Sequence, residues 1–86
     1  MRYMSTSHIE ILYNYIMRLK KIREEKGFSQ KQIAEILQIK QNTYSQYETG
    51  TRQIPIESLI ILAKFFDVSV DYILGITEVD IPYPKN

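Results

Sequence analysis

Five polar, uncharged side chains stand close together between positions 41 and 46, where they could form specific hydrogen bonds. The amides of Gln41, Asn42 and Gln46 each offer both a donor and an acceptor. Thr43 and Ser45 add hydroxyl groups. An ordinary solvent-exposed helix mixes glutamate and lysine, whereas no acidic residue occurs among these positions. The pattern therefore favours a surface that reads the hydrogen-bonding edges of another molecule over one that is only solvated.

Other kinds of chemistry have little support in the sequence. The chain has no cysteine, which excludes disulfides and thiolate metal sites. Its single histidine, His8, cannot supply the several nitrogen or sulfur ligands of a zinc site. No serine stands in a recognisable nucleophile motif, and no glycine-rich phosphate loop is present. We therefore expect no enzyme activity, no metal and no cofactor.

Two short helices joined by a tight turn are predicted to position the polar cluster. Ile33 and Leu37 are four residues apart and share a face of the first of these helices. Tyr44 and Tyr47 are three residues apart and share a face of the next, where we expect core packing rather than stacking on bases. Ala34 is the small residue that lets the two helices cross closely.

The first helix and the joints between helices follow from periodicity and from start and stop residues. Apolar residues recur every three or four positions from Ile9 onward, and Gly27 ends this helix. Ser29 and Gln32 have the spacing of a capping box at the start of the second helix. Gly50 supplies the left-handed residue that ends the third.

Two more helices are predicted in the second half of the chain. Pro55 begins the fourth, because its missing N–H costs nothing in a first helical turn. Ile60 and Ile61 are expected to thicken the buried stripe of this helix. The stripe consists of Leu59, Leu62, Ala63 and Phe66. Ser69 is expected to cap a fifth helix over residues 70–74. The chain is therefore predicted to be all-α, with five helices and no sheet.

One small domain with two extensions accounts for the 86 residues. Residues 1–15 are expected to form the N-terminal start of a long first helix, residues 16–75 the compact domain, and residues 76–86 a C-terminal arm. Met17 is an alternative start, which would make the preceding residues an extension outside the native product. No secretory signal or membrane span is visible, and a cytoplasmic location is expected.

Charge is distributed unevenly along the chain, although the net charge is only +1. Residues 1–53 carry nine basic and five acidic groups, whereas residues 54–86 carry two basic and five acidic groups. The two parts therefore have net charges of +4 and −3. Such a polarity could orient the molecule on a polyanion, but neutral proteins also show it by chance.

The joints between the five predicted helices resemble those of a known family. The matching stretches are LKKIREEKGFSQ, the Ile33-Ala34 and Leu37 positions, YETGTR and IPIESLIILAKFFDVSVDYILG. They span about residues 19–75 and resemble the lambda-repressor and Cro-like helix-turn-helix domain, also described as the xenobiotic-response-element type. The resemblance implies that the third helix, Gln41–Glu48, enters the major groove of double-stranded DNA while the second crosses the backbone.

The resemblance also implies roles for individual residues. Base reading falls to Gln41, Asn42 and Gln46, because an amide matches the N6 and N7 edge of adenine. Contacts to the DNA backbone fall to Gln30, Lys31, Lys40, Thr43, Ser45 and Arg52, with the Tyr44 hydroxyl as a further candidate. Gln30 would also support the first base reader, and for Arg52 a loop tether is an equal alternative. Arg23 and Glu48 are expected to form an ion pair between the first and third helices, against the alternative of two solvated charges.

Two positions depart from the family pattern. Gln38 replaces the usual glycine of the turn, so it needs a left-handed backbone at a cost of roughly 1–2 kcal/mol. Lys40 replaces the usual serine or threonine cap of the third helix and adds a positive charge. We expect both departures to alter local geometry and to leave the fold unchanged.

The sequence thus predicts a transcriptional regulator, with repression expected rather than activation, that binds a near-palindromic operator as a homodimer. Dimer contacts are expected from exposed apolar residues beyond the core or from the long first helix. These candidates are Tyr72, Ile76, Val79, Ile81 and Tyr83, together with Tyr13 and Tyr15. No separate small-molecule domain is evident. The alternative is a protein-interaction module, such as an antitoxin or adaptor, that uses the same fold through its acidic half or tail.

Overall fold

A computed structural model describes the backbone of residues 8–76, together with the side chains of Ile16 and of residues 18–76. Five helices occur in this part of the chain, and none of its residues lies in a β-strand. The helices are α1 (His8–Glu25), α2 (Gln30–Leu37), α3 (Gln41–Thr49), α4 (Ile56–Phe66) and α5 (Val70–Ile73). The prediction of an all-α chain with five helices is confirmed over the described residues.

The predicted extensions lie partly outside the described residues. The helix α1 is continuous across the boundary predicted between residues 15 and 16. Of the predicted C-terminal arm, the structure describes Ile76 alone. The dimer candidates Val79, Ile81 and Tyr83, and the side chains of Tyr13 and Tyr15, also lie outside the described part, so these boundaries and contacts stay predictions. None of the described helices combines the length and hydrophobicity needed to cross a membrane.

The joint between α1 and α2 is built as the sequence predicts. Gly27 has a φ of 82° and reverses the chain, with the Phe28 N–H donating to the Arg23 carbonyl at 3.0 Å. The predicted capping box at Ser29 is confirmed: its hydroxyl accepts from the Gln32 N–H at 3.1 Å. The Gln32 amide in turn accepts from the Ser29 N–H at 2.8 Å. Two amides at the start of α2 are thereby satisfied.

The turn between α2 and α3 has the predicted left-handed residue. Gln38 adopts φ 59° and ψ 43°, a conformation that is costly for a residue with a side chain. The Gln38 N–H donates to the Glu35 carbonyl at 3.1 Å, and the Ile39 N–H donates to the Ala34 carbonyl at 3.0 Å. Ile39 also packs against the core. These contacts hold the turn in place and offset the strain.

Three predicted helix ends differ from the structure. The helix α3 continues through Thr49, one residue beyond Glu48, and α5 ends at Ile73 rather than Leu74. Pro55 precedes α4 with an extended ψ of 152°, so it is the capping residue and not the first helical one. Its ring fixes φ at −65°, which suits this position as well. Asp67 ends α4 in a left-handed conformation, φ 60°, at a break for which no special backbone was predicted.

The core lies where the inner faces of the five helices meet. Tyr44 and Tyr47 are buried in it with their rings 6.2 Å apart, so the prediction that they are core residues is confirmed. On α4, the predicted stripe is buried, but Ile60 and Ile61 are 42% and 44% exposed. The expectation that these two thicken the stripe was wrong, because they follow Leu59 by one and two residues and turn away from the core. The buried apolar residues are Leu19, Ile22, Ile33, Ala34, Leu37, Tyr44, Tyr47, Ile54, Leu59, Leu62, Ala63, Phe66, Val68 and Ile73.

Candidate nucleic-acid interface

The polar cluster lies on the outer side of α3. Gln41 and Asn42 are exposed in its first turn, whereas Thr43, Ser45 and Gln46 are half-buried. The inner side of the same helix carries the buried residues Tyr44, Tyr47 and Glu48. The predicted base-reading residues are therefore presented by one helix whose opposite face is fixed in the core.

A buried ion pair connects α3 to α1. The Arg23 guanidinium donates from Nε to Glu48 Oε2 at 2.7 Å and from Nη2 to Glu48 Oε1 at 3.0 Å. Arg23 is 8% exposed and Glu48 is 7% exposed, so the pair is shielded from solvent. A third guanidinium nitrogen, Nη1, donates to the Phe28 carbonyl at 2.8 Å. The two charges expected to pair are thus in bidentate contact and not separately solvated.

The electrostatics of the pair follow from its hydrogen bonds. The hydrogen bond to Glu48 raises the pKa of Arg23, against the opposing effect of burial. Burial by itself would raise the pKa of Glu48, but Arg23, followed by the neighbouring Tyr44 and Gln30 side chains, outweighs it and lowers that pKa below its ordinary value. Both groups therefore remain charged at neutral pH.

The Tyr44 hydroxyl lies buried beside this pair and does not point outward. Burial, followed by the nearby Glu48 carboxylate, raises the pKa of Tyr44 well above its ordinary value. The hydroxyl is close enough to Glu48 to respond to its charge, but within the described structure it forms no hydrogen bond of acceptable geometry. The suggestion that this hydroxyl contacts the DNA backbone was wrong, because a completely buried ring cannot present it to a ligand.

Gln30, at the start of α2, turns toward the ion pair. Its Nε2 donates to Glu48 Oε1 at 3.0 Å, so Glu48 is held from both α1 and α2. In the sequence, Gln30 was expected to contact phosphate and to support Gln41. The contact of Gln30 with Glu48 was not predicted, because nothing in helical spacing links residues 18 positions apart.

The first turn of α3 combines an uncapped helix start with a positive charge. Lys40 precedes the helix in an extended conformation and makes no side-chain cap, as predicted. Lys40 and Lys31 are both exposed. A helix N-terminus carries a partial positive charge, so this end of α3 and the two lysines suit a phosphate-bearing ligand.

Arg52 contacts the last of the predicted base readers. Its Nε donates to Gln46 Oε1 at 3.0 Å, and its backbone N–H donates to the Gln46 carbonyl at 3.2 Å. Thr49 Oγ1 also donates to that carbonyl, at 3.3 Å. The loop after α3 is therefore tied back onto Gln46. No periodicity in the sequence signals this contact, because the chain reverses at Gly50 between the two residues.

A further arginine joins the first and last helices. Arg18 Nη1 donates to the Tyr72 carbonyl at 3.1 Å, and its guanidinium carbon lies 4.4 Å above the centre of the Tyr72 ring. Tyr72 is accordingly half-buried, whereas Ile76 just beyond it is 71% exposed.

Within the described residues, no three histidine, cysteine, aspartate or glutamate side chains come together as metal ligands do.

Comparison with known proteins agrees with this arrangement. The Helix-turn-helix family model matches residues 19–73, and the chain belongs to that family. It is 42% identical over 71 residues to the "Uncharacterized HTH-type transcriptional regulator YobD" of Bacillus subtilis, covering 83% of this chain and 62% of that one. It is also 42% identical over 62 residues to the "HTH-type transcriptional regulator ImmR" of the same species, covering 72% and 49%.

One relative carries a name that specifies the direction of regulation. The "HTH-type transcriptional activator BcrR" of Enterococcus faecalis is 34% identical over 58 residues, covering 67% of this chain and 28% of that protein. The chain spans about half the length of the curated relatives it matches. No solved structure matches it at a significant level.

Proposed function

We propose that this chain is a sequence-specific regulator of transcription that binds double-stranded DNA and reads the major groove with α3. The observation that carries the proposal is the two-sided character of α3. Its outer side offers uncharged hydrogen-bonding groups, and its inner side is fixed by the Arg23–Glu48 pair. A rigid helix with an adaptable polar face suits direct readout, which requires donors and acceptors to be held in register with base edges.

The roles proposed for individual residues follow from their positions. Gln41 and Asn42, exposed in the first turn of α3, would read base edges together with Gln46. Backbone contacts would come from Gln30, Lys31, Lys40, Thr43 and Ser45. Those residues contribute affinity and register, whereas the three amides contribute sequence preference. For Arg52 the contact to Gln46 favours the tether over the phosphate contact that was its equal alternative. The family to which the chain belongs, together with its relatives named as transcriptional regulators, supports DNA binding as the function in which these roles are proposed.

The regulator is proposed to act as a homodimer on a near-palindromic operator in the cytoplasm. Two helix-turn-helix units related by twofold symmetry reach half-sites about 34 Å apart on one face of the duplex. Exposed Ile76 supports a contact near the end of α5, but Tyr72 is already engaged by Arg18 within the chain. Occupancy of an operator would repress transcription. Sedimentation velocity and a reporter assay test the dimer and the direction of regulation.

Selection from a random duplex library tests the proposed function directly. We expect enrichment of a motif with two related half-sites, and an affinity that falls steeply as salt concentration rises. Failure to enrich any motif, even at low salt, would contradict the proposal. No catalytic role is proposed for the chain.

The second candidate is a protein-interaction module with the same fold. One observation favours it: Ile56, Ile60, Ile61 and Phe65 of α4 leave large apolar side chains exposed. In that case the library would yield no motif, while substitutions of these α4 residues would abolish binding to a protein partner.

A further inference from the structure

We propose that Arg52 is a positioning residue that fixes the orientation of the Gln46 amide and thereby sets the base that Gln46 prefers. The inference rests on the proposed function and deepens it, because it assigns Gln46 a role different from those of Gln41 and Asn42. It concerns a pair of residues six positions apart that meet on the outer side of the domain.

The contact is part of a small hydrogen-bonded network and not a single surface encounter. Arg52 meets Gln46 twice, through Nε to the side-chain Oε1 at 3.0 Å and through its backbone N–H to the carbonyl at 3.2 Å. Thr49 Oγ1 adds a bond to the same carbonyl, and the Thr49 and Thr51 hydroxyls lie 2.5 Å apart. The backbone contact keeps the Arg52 side chain near Gln46, which lowers the entropic cost of holding the two side chains together.

The loop that carries Arg52 is itself constrained at both ends. Gly50 has a φ of 81°, and a Cβ atom there would lie 2.5 Å from the Cδ1 atom of Ile16 on α1. At the other end, Ile54 is buried in the core. The chain packs against the domain on both sides of Arg52, and its guanidinium lies at the outer face of α3.

The chemistry of the two groups decides which amide atom faces which way. A guanidinium has five N–H donors and no acceptor, so the Gln46 atom that faces it must be the oxygen. The Nε2 group is then left with its two hydrogens to donate. Gln46 is thus prepared as a donor, whereas the exposed amides of Gln41 and Asn42 can rotate to present either atom.

This orientation changes the base preference expected at Gln46. Adenine is read by an amide that both accepts from N6 and donates to N7, which requires the oxygen to turn toward the base. With Oε1 held by Arg52, Gln46 should instead favour edges that accept, namely guanine at N7 and O6 or thymine at O4. Without Arg52, the amide is free to reverse, and preference should broaden to include adenine.

A plain phosphate contact by Arg52 would give a different result. Loss of such a contact weakens binding to all sequences alike and lowers the dependence of affinity on salt. Loss of a positioning contact changes the ratio of affinities at one base pair, and does so only when Gln46 is present.

The experiment compares five forms of the chain on four duplexes. Selection with the wild type and with Gln46→Ala first identifies the base pair whose preference depends on Gln46. Affinities at one salt concentration are then measured for the four duplexes that differ at that pair. The variants are Arg52→Met, Gln46→Ala, the double variant, and Lys31→Met as a control that removes the same charge from α2. Arg52 and Lys31 are both exposed, so neither substitution disturbs the core.

We expect Arg52→Met to reduce the preference for the best base by roughly three- to tenfold, the effect of one ordinary hydrogen bond, because the contact is exposed to solvent. In the Gln46→Ala background the same substitution should leave the base ratios unchanged. Lys31→Met should lower all four affinities alike. This combination would support the inference.

Three outcomes would overturn it, and they can be told apart. If Arg52→Met lowers all four affinities equally, as Lys31→Met does, Arg52 is a phosphate contact and the proposed function stands. If Gln46→Ala leaves the base preference unchanged at every position of the motif, Gln46 does not read sequence. If the wild type selects no motif, the proposed function fails and the inference fails with it.

Discussion

Removal of the Glu48 carboxylate tests the claim that α3 is held from inside the domain. Glu48→Ala leaves the Arg23 guanidinium buried without its bidentate partner, at a position where Arg23 is 8% exposed. An uncompensated charge in such a site costs about 3–5 kcal/mol. In a domain of this size, about 4–8 °C of Tm is lost per kcal/mol, so Tm should fall by more than about 12 °C.

Glu24→Ala is the matched control for this substitution. Glu24 is also an acid beside Arg23, with its Oε2 3.9 Å from Nη2, but its side chain is 56% exposed. Exposed pairs contribute about 0–1 kcal/mol, so Glu24→Ala should change Tm by only a few degrees. Urea and thermal unfolding, followed by circular dichroism, measure both variants in one buffer.

A double replacement separates the cost of an unpaired charge from the value of the pair. Arg23→Met with Glu48→Leu removes both charges and keeps the volume, so most of the lost stability should return. Recovery should be incomplete, because the Phe28 carbonyl and the Gln30 amide lose partners. A cost below about 1 kcal/mol for Glu48→Ala, the value expected for an exposed pair, would mean that the Arg23–Glu48 pair does not hold α3.

Four further predictions address pH, strain and DNA contacts. The folded state lowers the pKa of Glu48, so the Glu48 carboxylate stabilises the fold. This contribution to the free energy of unfolding is complete well above the ordinary pKa of 4.5 and is lost as pH falls below that value. The difference in Tm between the wild type and Glu48→Gln should therefore shrink from pH 7 to pH 3, and a constant difference would contradict the assignment. Gln38→Gly should relieve the left-handed turn and gain at most about 1 kcal/mol, since greater freedom of the unfolded chain offsets part of the relief; a loss of stability on urea unfolding would argue against strain. Gln41→Ala should cost about 1–3 kcal/mol of binding free energy and relax the base preference at one position in a selection. An equal loss of affinity for random DNA would rule out base reading. Lys40→Ala should weaken binding to all duplexes and reduce the slope of log affinity against log salt concentration by about one. Lys21→Ala on α1 should leave both the affinity and this slope unchanged.

The parts of the fold that the sequence predicts are those with local signals. Helical periodicity and the Ser29–Gln32 spacing are each complete within a few residues, and the structure contains both features. The left-handed Gln38 was predicted because the family turn usually holds glycine there. Asp67 adopts almost the same conformation without such a signal, and nothing in its neighbourhood distinguishes it from an ordinary helix end.

Contacts between residues far apart in the sequence could not be predicted from local patterns. The Arg23–Glu48 pair was expected from the family resemblance and not from spacing, since 25 positions separate the two residues. The hydrogen bond from Gln30 to Glu48 depends on how closely α2 packs on α3, and no local sequence pattern predicts that distance. The same holds for Arg52, whose reach to Gln46 depends on the path of the loop around Gly50.

Two arginines act on opposite sides of the same helical turn. Glu48 faces inward and is held by Arg23 from α1, whereas Gln46, two residues earlier, faces outward and is held by Arg52 from the loop. The first contact is buried, so its loss leaves an unpaired charge and lowers stability. The second is exposed, so its loss costs little stability and affects mainly the direction in which one amide points.

The stability of the domain and the preference of one base reader should therefore vary independently. Substitutions at Arg23 should lower Tm and weaken binding to every duplex in proportion to the unfolded fraction. Substitutions at Arg52 should leave Tm almost unchanged and alter the ratio of affinities at a single base pair. A variant of Arg52 that lost several kcal/mol of stability would mean that the outer contact supports the fold, and the division between an inner structural arginine and an outer positioning arginine would not hold.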